Sequence, residues 1–169
     1  MDRRRAPAAH LSLRISLAAQ TLTLSRSGQP LKTYAVSTSK HGAGETSGSF
    51  KTPRGRHVIR AKIGAGAPPN SVFRGRRATG EIYTAELARL NPERDWILTR
   101  ILWLSGTEIG RNRLGPVDTM RRFIYIHGTP DSEALGTPSS IGCIRMANVD
   151  IIELFDIVDA GTVVDIVAR

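Results

Sequence analysis

Two side chains in this sequence carry most of its chemical potential. Cys143 lies in the run Ser139-Ser140-Ile141-Gly142-Cys143-Ile144-Arg145-Met146, and His127 lies upstream in Ile126-His127-Gly128-Thr129. A thiol becomes an effective nucleophile when a base takes its proton, a neighbour orients that base, and N–H donors receive the oxyanion formed on an attacked carbonyl. Unassisted, with a pKa of about 8.5, it is only a few per cent ionised at neutral pH, so an imidazole within reach changes its reactivity. His127 is the candidate base. Gly128 leaves room for a backbone carbonyl to hold the ring tautomer, and Gly142 lets the amides of Ile141, Gly142 and Cys143 converge on one point. Against this stands the commoner fate of a lone cysteine, that of a small buried hydrophobe. Taken together the residues point to catalysis without identifying the reaction.

Elements must bring these side chains together, and the hydrophobic pattern says which. Leu11, Leu13, Ile15 and Leu17 alternate with Ser12, Arg14 and Ser16, the signature of a half-buried strand. Leu22 to Leu24 and Leu31 to Ser37 flank the turn residues Gly28-Gln29-Pro30, which predicts an antiparallel meander. Thr38 to Phe50, rich in Gly, Ser and Thr, reads as a mobile loop or lid. Further strands are expected at His57 to Ile63, Trp96 to Leu104, Arg122 to His127 and Thr162 to Val167. The segment from Gly64 to Arg94 reads as irregular, with a short helical stretch at Ile82 to Leu90. In the Arg122 strand, Phe123, Tyr125 and His127 share one face and Ile124 and Ile126 the other. The main helix begins after Ala147, with Asn148 as its N-cap and Ile151, Ile152, Phe155, Ile157 and Val158 as its apolar stripe. The predicted architecture is a β-rich α+β domain, two packed, mostly antiparallel sheets with one main helix after the cysteine loop.

Composition narrows the classes. A chain of 169 residues with 40% hydrophobic content has the length of one domain and enough apolar surface to bury a core, which argues against disorder. Residues 1–10 read as a basic tail and 11–169 as the folded domain. One cysteine excludes an internal disulfide and a thiolate zinc cluster, so no metal and no cofactor is expected. The balance of 24 basic to 15 acidic residues, with only four lysines, suggests a polyanionic partner, since arginine grips carboxylates and phosphates bidentately. Aromatic residues make up 5% and form no basic-aromatic stripe for stacking bases, so nucleic acid is not the expected partner. His10, His41 and His57 are expected to be solvated or locally bonded. No run of about 18 apolar residues is present for a transmembrane segment. After Arg3-Arg4-Arg5 the stretch with Pro7, His10 and Arg14 shows no secretory signal peptide.

The run IHGT, a loop, and SSIGCIRM followed by a helix resembles the signature of the L,D-transpeptidase catalytic domain, the YkuD-like family. Leu22 to Leu24 after Gln20, the strand end Val36-Ser37-Thr38, and Lys51-Thr52-Pro53-Arg54-Gly55 in place of the family's Thr-Pro-x-Gly element extend the likeness over residues 11–167. The resemblance implies an acyl transfer on peptidoglycan stem peptides. Cys143 is then the nucleophile, His127 the base, Gly128 its orienting carbonyl, Ser140 a brace of the loop, and Ile141, Gly142 and Cys143 the oxyanion donors. Arg145 would hold a substrate carboxylate or favour the thiolate, and Tyr125 would line the cleft. The family implies a location in the cell envelope or periplasm. One departure is Ile141, where the family commonly has His, Arg or Lys. The competing expectation is a non-catalytic basic module that binds cell-wall polymer or nucleic acid.

Overall fold

A computed structural model describes residues 10–169, so the predicted N-terminal tail falls outside the described residues except for His10. The meander forms as expected. Strands β1 (Leu11–Ser16), β2 (Thr21–Arg26) and β3 (Gln29–Ser37) pair antiparallel, and their alternation turns Leu13, Ile15, Leu22, Leu24, Tyr34 and Val36 into the core. There follow β4 (Gly55–Ile63), a hairpin of β5 (Ser71–Arg74) and β6 (Arg77–Ile82), and the short helix α1 (Ala85–Leu90). The remaining elements are β7 (Ile97–Gly106), β8 (Tyr125–Thr129), β9 (Ile144–Ala147), helix α2 (Asn148–Ile157) and β10 (Val163–Val167).

The two-sheet expectation is corrected by the strand pairing. All ten strands belong to one sheet in the order β4-β10-β1-β2-β3-β9-β8-β7-β5-β6, and β4 also pairs with β7. Two features close it into a barrel. The last strand, β10, inserts between β1 and β4, parallel to the former and antiparallel to the latter. The ten-residue β7 pairs with β8 on one edge and with β4 and β5 on the other. Closure satisfies the edge hydrogen bonds that two separate sheets would leave open. The parallel pairs are β1–β10 and β8–β9, so the sheet is mostly antiparallel as predicted.

Strand β8 divides the interior. Ile126, with Leu102, Ile144 and Met146 on its neighbours, faces the main core, where Ile151, Leu154 and Phe155 of α2 pack. Tyr125 and His127 face the other way, toward a smaller cluster containing Phe73, Ile101 and Tyr125, with Cys143 against it. The predicted strand from Arg122 starts later than expected, because Phe123 sits at φ 57° and breaks the extended run.

Other local expectations change for identifiable reasons. The β5–β6 hairpin turns through Gly75 and Arg76, both at positive φ, and its strands lack apolar alternation, which hid them. Ile82 ends β6, and Thr84 caps α1 by accepting the Leu87 N–H at 3.0 Å. The segment Thr38–Phe50, expected to be mobile, is hydrogen-bonded along its length. Thr52 N donates to Gly42 O, Gly44 N donates to Thr52 O, and Arg54 forks onto Glu45. His57, expected to be solvated or locally bonded, is fully buried between Gly55 O and Thr119 Oγ1, and burial pushes its pKa down to about 4.

Asn148 does not cap α2. Its side chain is buried, with Oδ1 accepting from Thr99 Oγ1 at 2.5 Å and Nδ2 donating to Asn70 and Asp131. A tertiary network thus outcompetes the local cap, and it holds the end of β8 against β7. Asn148→Ala should lower unfolding free energy by about 1–3 kcal/mol in urea denaturation, because it leaves buried donors and acceptors unpaired. A loss below about 0.5 kcal/mol would show that the network does not stabilise this junction.

Candidate active site

The site is built where β8 and β9 run side by side in parallel. Register places His127 opposite Arg145, and two residues back, just beyond β9, Cys143 lies beside Tyr125. His127, Arg145 and Cys143 therefore share one face, with His127 and Cys143 as diagonal neighbours across the two strands. Residues far apart in the chain meet through the loop between the strands.

His127 is fully buried. Its Nδ1 lies 2.6 Å from the Gly128 carbonyl oxygen, and since a carbonyl only accepts, the proton resides on Nδ1. Burial depresses the imidazole pKa, opposed by the Asp95 charge and by the Gly128 hydrogen bond, so the ring is neutral and Nε2 carries a lone pair. That Nε2 is buried and has no partner among the described residues. Gly128 is required for a second reason. A side chain there would strike Asn148 Oδ1 and the Leu98 carbonyl, which close over this end of β8.

Cys143 is half-buried. Its Sγ accepts the Tyr125 N–H at 3.3 Å and donates to Phe123 O at 3.3 Å. Burial pushes the thiol pKa up to about 12, although the Tyr125 N–H, Arg145 and Arg122 all favour the anion. Thiol and imidazole are both neutral at rest; they share a face, but the thiol proton goes to Phe123 O and His127 Nε2 makes no hydrogen bond to the sulfur.

The cysteine loop is held from three directions. Ser140 Oγ donates to Cys143 O at 2.6 Å and accepts the Gly142 N–H at 3.2 Å. Ser139 and Ser140 donate their N–H groups to Thr38 O at the end of β3. Thr52 Oγ1 donates to Gly142 O at 2.9 Å and accepts the Ser39 N–H, giving the Thr-Pro segment a defined task that residue types alone did not reveal. Gly142 itself sits at φ 135°, a conformation that L side chains rarely adopt. The expected trio of oxyanion donors is reduced by this arrangement, because the Gly142 N–H is already committed to Ser140. The N–H groups of Ile141 and Cys143 have no acceptor among the described residues.

Two substrate-contact expectations are changed by the geometry. Arg145 pairs with Asp95 at 2.9 Å and Glu133 at 3.8 Å and donates to Ser139 Oγ, so it ties the loop before β7 to the cysteine loop. Its guanidinium is already engaged by two carboxylates. Tyr125 is buried, stacks edge-on against Trp103, and accepts from Arg76 at 3.0 Å. Its side chain belongs to the cluster with Phe73 and Ile101 against which Cys143 packs. Asp95 is a further group that patterning missed, since nothing in its local sequence distinguishes it from a solvated charge.

A cavity of about 380 Å³ abuts the cysteine loop, lined by Ser139, Ile141 and Arg145 with Lys40, Asp95 and Trp96. A larger groove of about 950 Å³, lined by Arg14, Arg54, Arg56 and Arg111, includes neither His127 nor Cys143. The smaller cavity borders the cysteine loop through Ser139 and Ile141, and its lining likewise includes neither His127 nor Cys143.

Known proteins share this fold. Residues 12–166 match the family model described as YkuD, the L,D-transpeptidase catalytic domain. The Bacillus subtilis (strain 168) protein named "Putative L,D-transpeptidase YkuD" is 28% identical over 152 residues, covering 90% of this chain and 63% of that protein. An L,D-transpeptidase from Mycobacterium smegmatis has a TM-score of 0.56 at 18% identity, covering 95% of this chain and 59% of its own. L,D-transpeptidase 3 from Mycobacterium tuberculosis, solved with a faropenem-derived adduct, has a TM-score of 0.57 at 16% identity, covering 94% and 60% respectively. At such identities the structural likeness establishes the fold, and this chain spans less than two thirds of the length of these relatives. With the match running from β1 through β10, the chain belongs to the YkuD family of L,D-transpeptidase catalytic domains.

Proposed function

We propose that this protein is a cysteine-dependent L,D-transpeptidase that acts on peptidoglycan stem peptides through a thioester. The observation that carries the reading is the state of His127. A buried Nε2 without a partner, on a ring whose other nitrogen is fixed by Gly128, faces the same side of the sheet as the thiol. A base of this kind needs an external proton to complete its hydrogen bonding.

In the proposed reaction, Nε2 removes the Sγ proton and the sulfur attacks the carbonyl of the third stem residue. Negative charge develops on the carbonyl oxygen, where the free N–H groups of Ile141 and Cys143 serve as donors. Collapse breaks the bond to the terminal D-amino acid, whose amine takes the proton back from His127. The thioester is then resolved by an amine of a second stem, which yields a cross-link, or by water, which yields a shortened stem. Ser140 and Thr52 keep the donors in place, so neither touches the reacting atoms. The basic surface suits an anionic sugar-peptide polymer.

The test is acylation. Incubation with a carbapenem should add one mass equivalent to the protein, and Cys143→Ala should abolish the adduct. An adduct retained in Cys143→Ala would assign the nucleophile elsewhere. Digestion of muropeptides should give a cross-linked dimer or a shortened stem, whereas binding without any product would favour the non-catalytic module. For the base, His127→Ala should slow alkylation of Cys143 at neutral pH on the order of tenfold while circular dichroism stays unchanged. Equal rates in the two proteins would remove His127 from the mechanism.

A further inference from the structure

Arg122 carries no sequence signal, yet it is a cation near this site whose charge no contacting acid neutralises among the described residues. The side chain is half-buried. Its Nη2 donates to Lys51 O at 2.6 Å and Ser49 Oγ at 3.3 Å, and its Nη1 donates to Gly44 O at 3.2 Å. All three acceptors are neutral, and no carboxylate lies within 4.0 Å of the guanidinium among the described residues. Glu45 belongs to the loop that Arg122 clamps, but both of its carboxylate oxygens are bound by Arg54, which holds that carboxyl below the usual carboxylate range.

The placement matters because of what surrounds it. The next residue, Phe123, offers the carbonyl that receives the Cys143 thiol proton. Lys51 O, which takes the shortest Arg122 hydrogen bond, lies 3.6 Å from where a side chain on Gly142 would begin. Three charged groups act on the sulfur: Asp95, Arg145 and Arg122. Asp95 and Arg145 are in direct contact at 2.9 Å, so their opposite fields largely cancel there. The charge of Arg122 is left over.

We propose that Arg122 is the positioning cation that stabilises the Cys143 thiolate, an inference that rests on the reading of Cys143 as nucleophile. When the S–H bond breaks, the proton passes to His127 Nε2 and the electron pair stays on Sγ. The guanidinium favours that charge distribution until the sulfur forms its bond to the substrate carbon. The same side chain fixes the 44–51 loop, so charge and clamp must be separated experimentally.

The experiment alkylates the full chain with neutral iodoacetamide and anionic iodoacetate, comparing wild type, Arg122→Gln and Arg122→Lys. Arg122→Gln should react with iodoacetamide about tenfold more slowly at neutral pH, the effect of losing one opposite charge that acts on the thiolate. Its iodoacetate-to-iodoacetamide rate ratio should also fall severalfold, because the attracting charge is gone. Arg122→Lys, which keeps the charge but cannot span three acceptors, should stay within about threefold of wild type with its ratio unchanged. Equal slowing in both variants with an unchanged ratio would reduce Arg122 to a loop clamp and overturn the proposal, as would no slowing in Arg122→Gln. Should Arg122→Gln not fold, a fallen ratio in Arg122→Lys overturns it and a retained one supports it. A wild-type protein that alkylates in this manner but gains no carbapenem mass would overturn the proposed function and leave the assignment of Arg122 to these rates.

Discussion

The hydrogen bond from His127 Nδ1 to the Gly128 carbonyl governs what this site can do. It fixes the tautomer of a fully buried ring and turns the remaining lone pair onto the face that holds the cysteine. The opposite tautomer would present an N–H to the sulfur and could take no proton from it. Much of the surrounding structure serves this one contact. Thr99, Asn70, Asp131 and Asn148 form the network that closes on Gly128, and a side chain at that position would strike it.

The electrostatic balance follows from burial. A thiol raised to about 12 and an imidazole lowered below its ordinary value form a neutral pair at rest. Ionising that pair inside a poorly solvated pocket requires charges arranged in advance. Arg145 is held against Asp95 and Glu133, which makes it a structural staple, whereas Arg122 has only neutral acceptors. The cysteine loop is braced by Ser140 and Thr52, and the N–H groups of Ile141 and Cys143 have no acceptor among the described residues.

Much of this was legible in the sequence. Period-two alternation located β1, β3, β4 and β10, whereas β7 sends Leu102 and Leu104 into the main core and Ile101 into the smaller cluster. The Cys143 and His127 runs were equally clear, since their glycines mark places where the backbone must come close. What stayed hidden depended on long-range geometry. Barrel closure rests on β10 entering between β1 and β4, and no local pattern encodes that choice. Asn148 reads as a cap until Thr99, Asn70 and Asp131 are brought beside it. Arg122, Asp95 and Thr52 are ordinary polar residues until the chain folds around the sulfur.

The most direct measurement is nitrogen NMR of the His127 side chain, followed between about pH 5 and pH 8. The account predicts a neutral ring protonated at Nδ1, with an unprotonated Nε2 that shifts when Cys143 is replaced by Ala. A ring protonated at Nε2, or an imidazolium already present at neutral pH in the resting protein, would contradict it.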